Sequence, residues 1–349
     1  MHQLVLTAPS TLEVREAPSI ALTAGQVRLR VDGAGICGSD IHGYSGLNDR
    51  RPVGVVMGHE TAGTVVEVAK GSRLSLGQRV AVNPLISCRV CTYCRTGFDN
   101  LCSDRRLYGC SVDAPGGLAT EMVIEETNAV PVPDDLDIDV ITLIEPLSIG
   151  THAVRIATLP PKSSLLVIGG GPIGIAAALA ARDVSTNLTI SEPSEHRRHI
   201  AQQLGFDART PVEATSGTEY DAVIECVGYS ATTAQAVRSV KPGGAVVCLG
   251  FADEELMVPA VGVVIEEKRL IGSSAYTRDD FDATASWVSR NASGLKQLVG
   301  ARVSLEGTPR VFRQYADGES SVMKTIYTPS PRQSSLSSSP REAGPEDAS

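Results

Sequence analysis

Aromatic residues are scarce in this 349-residue chain, at 4% of the sequence, and several other features are absent. No run of eighteen or more apolar residues occurs, so we expect no membrane span. Acidic residues outnumber basic ones by 40 to 31, and the net charge of −9 argues against a general nucleic-acid binder. The N-terminal "MHQLVLTAPS" has no charged segment followed by an apolar one. We therefore expect no signal peptide and a cytoplasmic location, where thiols stay reduced.

Glycine is plentiful instead, with 33 residues, and the chain is long enough for two domains. Residues 1 to about 85 form short β-rich runs punctuated by Gly and Pro. From about residue 163, apolar strands alternate with helices, which predicts βαβ units and a parallel sheet. A helical pattern from Asp137 to Ala157 should be interrupted by Pro146. The segment 329–349 is rich in Ser, Pro and acidic residues and is predicted to be disordered.

Half of the eight cysteines lie in "CRVCTYCRTGFDNLC", at positions Cys88, Cys91, Cys94 and Cys102. The spacing C-x2-C-x2-C-x7-C lets four thiolates surround one tetrahedral ion, and zinc prefers such an all-sulfur site. Four thiolates leave no open coordination position, so this zinc should be structural. Four unrelated reduced cysteines are the plainer alternative. Zinc-ribbon nucleic-acid modules also use similar clusters, so the spacing does not by itself indicate an enzyme.

A second motif, "GGGPIG", follows an apolar strand and opens a helix. It contains G-x-G-x-x-G as Gly169, Gly171 and Gly174, with Pro172 and Ile173 between the last two. In this context the glycines allow a tight turn, close approach of a pyrophosphate, and close packing of helix on strand. The helix N-terminus supplies free N–H groups for phosphate. We predict a dinucleotide site here, against the alternative of a glycine-rich turn without a ligand.

The nucleotide is predicted from the acid that follows the second strand. Glu192 lies 23 positions after Gly169, where a carboxylate binds the adenosine ribose hydroxyls and repels a 2′-phosphate. This favours NAD(H), with NADP less favoured. Arg197 and Arg198 are the counter-argument, because an arginine at this site can hold that phosphate. Their simpler interpretation is a solvated helix face.

Three further residues suggest a catalytic metal. Cys37 lies in "AGICGSDIHGYSG", and His59 and Glu60 lie in "MGHETAG". One thiolate, one imidazole and one carboxylate give three ligands and leave a fourth position for water or substrate, as in catalytic zinc sites. A buried cysteine with an unrelated surface histidine and glutamate is the alternative.

These segments resemble the zinc-dependent medium-chain alcohol dehydrogenase family, and more closely its polyol, butanediol and threonine dehydrogenase branch. The resemblance is carried by "CGSDIH", "GHE", the cysteine loop, "EPLSIGTHAV", "VIGGGPIG" and "DAVIECVG", and it covers residues 1 to about 328. It implies that Cys37 and His59 bind the catalytic zinc, and that Glu60 and Glu145 compete for the remaining position. Glu145 replaces the cysteine of classical alcohol dehydrogenases, a departure toward the polyol branch.

The resemblance also implies roles beyond the metal ligands. Ser39 should contact the substrate oxygen, and His42 should form the outer end of a proton relay. Asp40 should orient His59 from behind, and Lys324 should face the cofactor pyrophosphate. Three further histidines lie on predicted helices and are expected on solvated faces: His152, His196 and His199. Three further cysteines are expected as small buried residues: Cys110, Cys226 and Cys248.

The implied fold is α/β, with a GroES-like β-rich catalytic domain (1–152 and 273–328) and a doubly wound Rossmann domain (153–272). The implied activity is reversible oxidation of a secondary alcohol, a vicinal diol, polyol or related compound, with two zinc ions per chain and NAD(H). L-Threonine or a simple alcohol is the alternative substrate within the family. A catalytically silent relative and a zinc-ribbon binding protein are the alternatives from other classes. We expect a homodimer or homotetramer with no nucleic-acid or membrane partner.

Overall fold

A computed structural model of the chain describes residues 1–47, 50–319 and 322–329. The predicted disordered tail lies outside the described residues from position 330 onward. The strands are β1 (His2–Ala8), β2 (Thr11–Glu16), β3 (Gln26–Gly35), β4 (Glu60–Val68), β5 (Arg79–Val82), β6 (Leu85–Ile86), β7 (Arg106–Leu107), β8 (Glu121–Glu125), β9 (Ala129–Pro131), β10 (Ser163–Ile168), β11 (Ser185–Ser191), β12 (Asp207–Arg209), β13 (Tyr220–Glu225), β14 (Val240–Cys248), β15 (Arg269–Gly272), β16 (Val299–Val303) and β17 (Lys324–Tyr327).

The helices alternate with these strands most regularly in the second half of the chain. They are α1 (Gly38–Tyr44), α2 (Thr92–Arg95), α3 (Ile138–Thr142), α4 (Ile144–Ala157), α5 (Pro172–Ala181), α6 (Glu195–Gln203), α7 (Pro211–Thr215), α8 (Ser230–Ser239), α9 (Ala260–Ile265), α10 (Arg278–Arg290) and α11 (Thr308–Ala316), with 3₁₀ turns at Asp99–Leu101, Glu126–Asn128 and Leu295–Leu298.

A six-stranded sheet has the order β12-β11-β10-β13-β14-β15, and every pair in it is parallel. Written by chain order this is 3-2-1-4-5-6, the doubly wound nucleotide-binding arrangement. The central strand β10 carries Leu165, Leu166 and Val167, all without solvent exposure. An all-apolar run of this kind fits a strand that helices cover on both faces. The predicted parallel sheet is confirmed.

A second, mixed sheet has the order β16-β17-β3-β4-β5-β9, with β8 also paired to β3. Its C-terminal strand β17 pairs antiparallel with β3, so the end of the chain returns to the N-terminal half. The antiparallel pairing of β3 with β4 sets Gly35 opposite Glu60. Strand β16 was missed by the sequence prediction, because "VGARV" is short and carries a glycine.

The predicted helical segment 137–157 is two helices, α3 and α4, but the break is not at Pro146. The break falls at Leu143, and Pro146 is the third residue of α4. A proline is tolerated there because the first N–H groups of a helix have no intrahelical partner.

Helix α4 joins the two sheets, since its apolar face contributes to a core that also contains Ala62 of β4 and Val167 of β10. The predicted domain boundary at residue 152 falls inside this helix, and the boundaries stay predictions. In the part of the chain described here, no helix is long and apolar enough to cross a membrane.

Candidate active site and metal clusters

The four-cysteine loop, residues 88–102, brings its thiols together. The four Sγ atoms all lie within 4.8 Å of one another. The Sγ of Cys94 lies 3.5 Å from that of Cys91 and 3.9 Å from that of Cys88. Zinc–sulfur bonds of about 2.3 Å in tetrahedral geometry require sulfur separations of roughly 3.8 Å, so the loop fits this ion.

Two thiols of this loop have pKa values shifted in opposite directions. Backbone N–H groups of Val90 and Cys91 lower the pKa of Cys88 to about 6. Burial and the hydrogen bond to the neighbouring Cys91 thiol raise the pKa of Cys94 to about 12. A divalent cation bound here would remove this difference, because a coordinated thiol is deprotonated outright.

The four-cysteine loop is docked on the segment 273–278, which we call the crossing segment because it leads from β15 to α10. Asn100 Nδ2 donates to the carbonyl oxygen of Ser274 over 3.0 Å. The backbone N–H of Arg278 donates to Asp99 over 3.1 Å. The same segment carries Tyr276, whose hydroxyl donates to Glu145 Oε1 over 3.0 Å. The loop and Glu145 thus share one support.

Cys37, His59 and Glu60 form a second, mixed cluster, with one ligand atom of each within 4.8 Å of the other two. Cys37 precedes α1 and is half-buried. His59 lies directly before β4 and Glu60 is the first residue of that strand, and both are buried. The structure therefore brings together the three residues that the sequence proposed for a catalytic metal. Their donor set, one thiolate, one imidazole and one carboxylate, fits zinc.

Asp40 supports this cluster from behind. It has no solvent exposure, and its Oδ1 lies 3.3 Å from Nδ1 of His59, at ion-pair distance, although Nδ1 makes no hydrogen bond within the described residues. A carboxylate in this position fixes the ring of a metal-binding histidine. Burial opposes the charged form, but His59 and Arg51 outweigh it and hold the pKa of Asp40 well below its usual range.

Arg51 was not foreseen from the sequence. Its side chain is buried, its Nε donates to Asp40 Oδ1 over 2.9 Å, and its NH2 donates to Ser39 Oγ over 3.1 Å. The only sequence signal was an arginine next to a proline in a stretch that is otherwise apolar before His59.

Lys324 does not lie free to face a pyrophosphate, and that expectation was wrong. It is buried, and its Nζ donates to both carboxylate oxygens of Glu60 over 2.6 and 2.8 Å. Burial works against the lysine charge, but Glu60 outweighs it and raises the pKa of Lys324. Gly35 makes room for this pair, because a Cβ there would lie 1.9 Å from Glu60 Oε2.

Glu145 lies on the first turn of α4 and is buried. Oε1 accepts from Tyr276, while Oε2 has no hydrogen-bond partner among the described residues. Burial, with a contribution from Glu60, raises the pKa of Glu145 to about 7 against the opposing effect of His59. A buried carboxylate oxygen without a partner is what a metal or a substrate hydroxyl would satisfy.

The glycine turn has the geometry expected of a phosphate loop. Gly169 has φ +101°, and a Cβ on Gly174 would lie 1.8 Å from the Gly169 carbonyl oxygen. Nothing lies within 4 Å of a Cβ built on Gly171, the N-cap of α5, so the space in front of the helix is open. Pro172 and Ile173 form the first turn of α5, where a proline suits the helix start.

Glu192 is buried at the end of β11 and accepts from the N–H groups of Gly170 (2.7 Å) and Ser194 (2.8 Å). It therefore also braces the glycine turn. The guanidinium group of Arg198 donates to the carbonyl oxygens of Glu192 and Pro193. Arg197 is exposed on α6.

The three histidines on predicted helices outside the site divide into two groups. His196 and His199 are exposed on α6, as predicted. His152 was predicted to be solvated, and this was wrong: it is buried, and its Nδ1 lies 2.7 Å from Asp280 Oδ2. The reason is that α4 packs its His152 face against α10. Among the other cysteines, Cys110, Cys226 and Cys248 are half-buried.

Comparison with known proteins now decides the family. Residues 23–134 match the model of the alcohol dehydrogenase GroES-like domain, and residues 172–290 match that of zinc-binding dehydrogenases. The chain is 31% identical to L-idonate 5-dehydrogenase of Vitis vinifera over 335 residues, covering 89% of this chain and 90% of that protein. The chain belongs to the zinc-dependent medium-chain alcohol dehydrogenase family.

Two further relatives of this dehydrogenase extend the comparison. It is 31% identical to sorbitol dehydrogenase of Arabidopsis thaliana over 292 residues, covering 78% of this chain and 79% of that one. A zinc-binding dehydrogenase from Sinorhizobium meliloti 1021, solved with NADP, superposes with a TM-score of 0.86 at 28% identity, covering 94% and 99% of the two chains. The predicted family, its polyol branch and the two-part fold are confirmed. The protein is an oxidoreductase acting on CH–OH groups, with zinc and a nicotinamide cofactor.

Proposed function

We propose that this dehydrogenase reversibly oxidises a secondary alcohol of a vicinal diol, polyol or related hydroxy compound to a ketone, with NAD(H) as cofactor. The observation that carries the proposal is the mixed cluster, in which Cys37, His59 and Glu60 lie within 4.8 Å of one another beside a second buried carboxylate. A ligand set with carboxylates is what the polyol branch has in place of the second cysteine. The names of the idonate and sorbitol relatives agree with such substrates.

We propose two zinc ions per chain. The four cysteines would hold one without an open position, and Cys37, His59 and a carboxylate would hold the other. Glu60 is favoured as the third ligand by its distance, because one of its oxygens lies within 4.8 Å of the Cys37 and His59 ligand atoms. Glu145 is favoured by its unpartnered Oε2, whereas both oxygens of Glu60 already accept from Lys324. One of the two would bind the metal, and the other would accept a hydrogen bond from the water or alcohol that shares the site.

The chemistry divides between the ion and the chain. Bound zinc would act as a Lewis acid on the alcohol oxygen and lower the pKa of its hydroxyl. Ser39, two residues from Cys37, would take the hydroxyl proton and pass its own proton on. His42 follows Ser39 by three residues on α1, hence on the same side of the helix, and it is exposed, so it would deliver the proton to water. The hydride transfer itself is the chemistry of the nicotinamide.

We propose NAD(H) over NADP(H). Gly169, Gly171 and Gly174 would bind the pyrophosphate with Pro172 and Ile173 at the start of α5. Glu192 would bind the adenosine ribose, and its buried charge would repel a 2′-phosphate. Arg197, exposed nearby, would contact the adenosine end from the solvent side. Because the relative from Sinorhizobium meliloti 1021 was solved with NADP, the preference of this chain for NAD(H) over NADP(H) requires a direct test.

We propose that the protein is a homo-oligomer, at least a dimer, in the cytoplasm. Strand β15 is an edge of the parallel sheet, and α9 beside it exposes Val261, Val264 and Ile265 by 70–75%. Exposed apolar groups beside an unpaired strand edge support pairing with a second copy. None of the eight cysteines forms a disulfide in the described structure, which supports a reducing compartment.

The test of the proposed function is a substrate panel. Purified protein with zinc and NAD⁺ is given vicinal diols, polyols, sugar acids, L-threonine and simple alcohols, and the absorbance of reduced cofactor is followed. We expect turnover of at least one diol, polyol or sugar acid, and preference for NAD⁺ over NADP⁺. Turnover of L-threonine or of simple alcohols alone would replace the proposed substrate class, and no turnover of any compound would favour a catalytically silent relative.

A further inference from the structure

We propose that Arg51 is a positioning residue, whose single guanidinium group fixes both the Ser39 hydroxyl and the Asp40–His59 pair. The inference rests on the proposed dehydrogenase site and adds a residue to it. Within the described residues the hydrogen bonds of the Arg51 side chain go to Asp40, Ser39 and the Arg50 carbonyl and to none of the proposed metal ligands, so it would act through Ser39 and Asp40.

All three guanidinium nitrogens of Arg51 are engaged. Nε and NH2 each lie 2.9 Å from Asp40 Oδ1, NH2 also donates to Ser39 Oγ over 3.1 Å, and NH1 donates to the carbonyl oxygen of Arg50 over 3.0 Å. The Arg51 side chain is 5% exposed and that of Asp40 is not exposed at all. Planar fork geometry of this kind is specific to arginine, because a lysine offers one point donor.

The chain makes room for this arginine at Gly43. A Cβ there would lie 2.2 Å from Cγ and 2.5 Å from Cβ of Arg51. Gly43 is not among the glycines with positive φ, so its backbone could accommodate another residue. The absence of a side chain at this position is therefore explained by the passage of the Arg51 stem beneath α1.

The contact with Ser39 sets the direction of proton transfer. A serine hydroxyl has one proton to donate and two lone pairs that accept. Arg51 occupies one lone pair, so one remains for the proton of the substrate hydroxyl, and the serine proton must point away from Arg51. When Ser39 accepts the substrate proton it releases its own to the next acceptor, and its protonation state does not change.

The contact with Asp40 acts on the metal ligand. Asp40 Oδ1 is shared between Arg51 and Nδ1 of His59, so the guanidinium fixes the carboxylate that orients the imidazole. Groups that support a metal ligand in this way typically change metal affinity or activity by about 10–100-fold when removed. Since Arg51 and Asp40 neutralise each other, we expect orientation rather than net charge to be the dominant effect.

The first arm of the test measures metal binding without turnover. Zinc affinity of the mixed cluster is measured by chelator competition, and its cobalt(II) form by visible absorption, in Arg51→Met and Arg51→Lys. Arg28→Met is the matched control, because Arg28 is also a buried arginine of this half and pairs with Glu67 over 2.7 Å. We expect a roughly 10–100-fold loss of zinc affinity and altered cobalt bands in Arg51→Met, a smaller change in Arg51→Lys, and neither in Arg28→Met.

The second arm is a double-mutant cycle with Ser39→Ala. Arg51→Lys should lower kcat by about tenfold in the wild-type background and by a clearly smaller factor when Ser39 is already alanine, because only the contact with Asp40 is then left to lose. Equal losses in the two backgrounds, or a zinc affinity that Arg51→Met leaves unchanged, would overturn the inference. A wild-type protein without turnover would refute the proposed function, and the metal-binding arm would still decide the role of Arg51.

Discussion

The two cysteine-containing clusters of this dehydrogenase differ in almost every physical property. The four-cysteine loop draws its thiols from fifteen consecutive residues, and most of them are half-buried. The mixed cluster draws on residues 37, 59 and 60, with Glu145 and Lys324 packed around it, and its charged groups are nearly all buried. The first site can form from local chain alone. The second exists only when distant elements have been assembled, and the partners of its carboxylates, Lys324 for Glu60 and Arg51 for Asp40, must be placed as well.

This contrast suggests a division of labour. A closed site of four thiolates adds its binding energy to folding. A metal site with three protein ligands keeps one position open, and at the mixed cluster the neighbouring carboxylates, lysine and arginine would set the charge and direction of the chemistry.

Replacing Cys37 by serine should abolish catalysis while the fold survives. Loss of a metal that contributes several kcal/mol to the transition state lowers kcat by about a thousandfold or more. Turnover, zinc content and thermal melting are measured together. Cys248→Ser, the same exchange at a half-buried cysteine outside both clusters, is the control. A Cys37→Ser protein that turns over normally would remove Cys37 from the site.

Replacing Cys94 by serine should have the opposite profile. Since binding at a structural site is coupled to folding, we expect the free energy of unfolding to fall by several kcal/mol and aggregation to increase. Denaturant unfolding and metal analysis test this, and treating the wild type with a chelator should reproduce the loss. Finding one zinc per chain in fully loaded wild type would contradict the comparison between the clusters.

Glu145→Gln keeps the size of the side chain and its hydrogen bond from Tyr276 but removes the charge. We expect zinc affinity of the mixed cluster or alcohol oxidation to fall by about 10–100-fold. Tyr276→Phe removes the hydrogen bond alone and should have a smaller effect. Full activity together with full zinc content in Glu145→Gln would exclude a role for this carboxylate.

Glu192→Ala should weaken NAD⁺ and relieve the repulsion of NADP⁺. Hydrogen bonds to a charged group contribute about 1.5–3 kcal/mol, which corresponds to roughly 10–100-fold in kcat/KM for NAD⁺. The Glu192 carboxylate also accepts from the N–H of Gly170. Glu192→Gln keeps the shape of the side chain and removes its charge, so it isolates the effect of the charge on cofactor choice. A wild type that already prefers NADP⁺ would show that Arg197 and Arg198 dominate.

His42→Gln should give the smallest effect and the most specific one. General-base groups typically contribute about 10²–10⁴-fold, and we expect only about tenfold here because His42 is exposed and water can substitute. The loss should be greatest near neutral pH and shrink as hydroxide takes over, whereas Ser39→Ala should be impaired at every pH. His196→Gln is the control on an exposed helix. A pH–rate profile parallel to wild type would end the relay proposal.

Sequence alone predicted the parts of this molecule that are local. The cysteine spacing, the glycine turn and the βαβ alternation each lie within a few tens of residues, and the structure contains all three. Lys324 was misplaced because its partner Glu60 lies 264 positions away and is set by the pairing of β17 with β3. His152 was misjudged for a similar reason, since Asp280 is 128 positions distant. Arg51 was missed because only the folded structure brings its guanidinium to Asp40.

The crossing segment has a consequence for anyone who would re-engineer this enzyme. Five residues, 274–278, carry the carbonyl that binds Asn100, the hydroxyl that binds Glu145 and the N–H that binds Asp99. A four-cysteine loop transplanted from another dehydrogenase would bring its own metal but would also replace Asp99 and Asn100. Unless the graft keeps an acid and an amide at these positions, the support of Glu145 changes with it. The loop is therefore not an interchangeable cassette, and a swap should be designed together with residues 274–278.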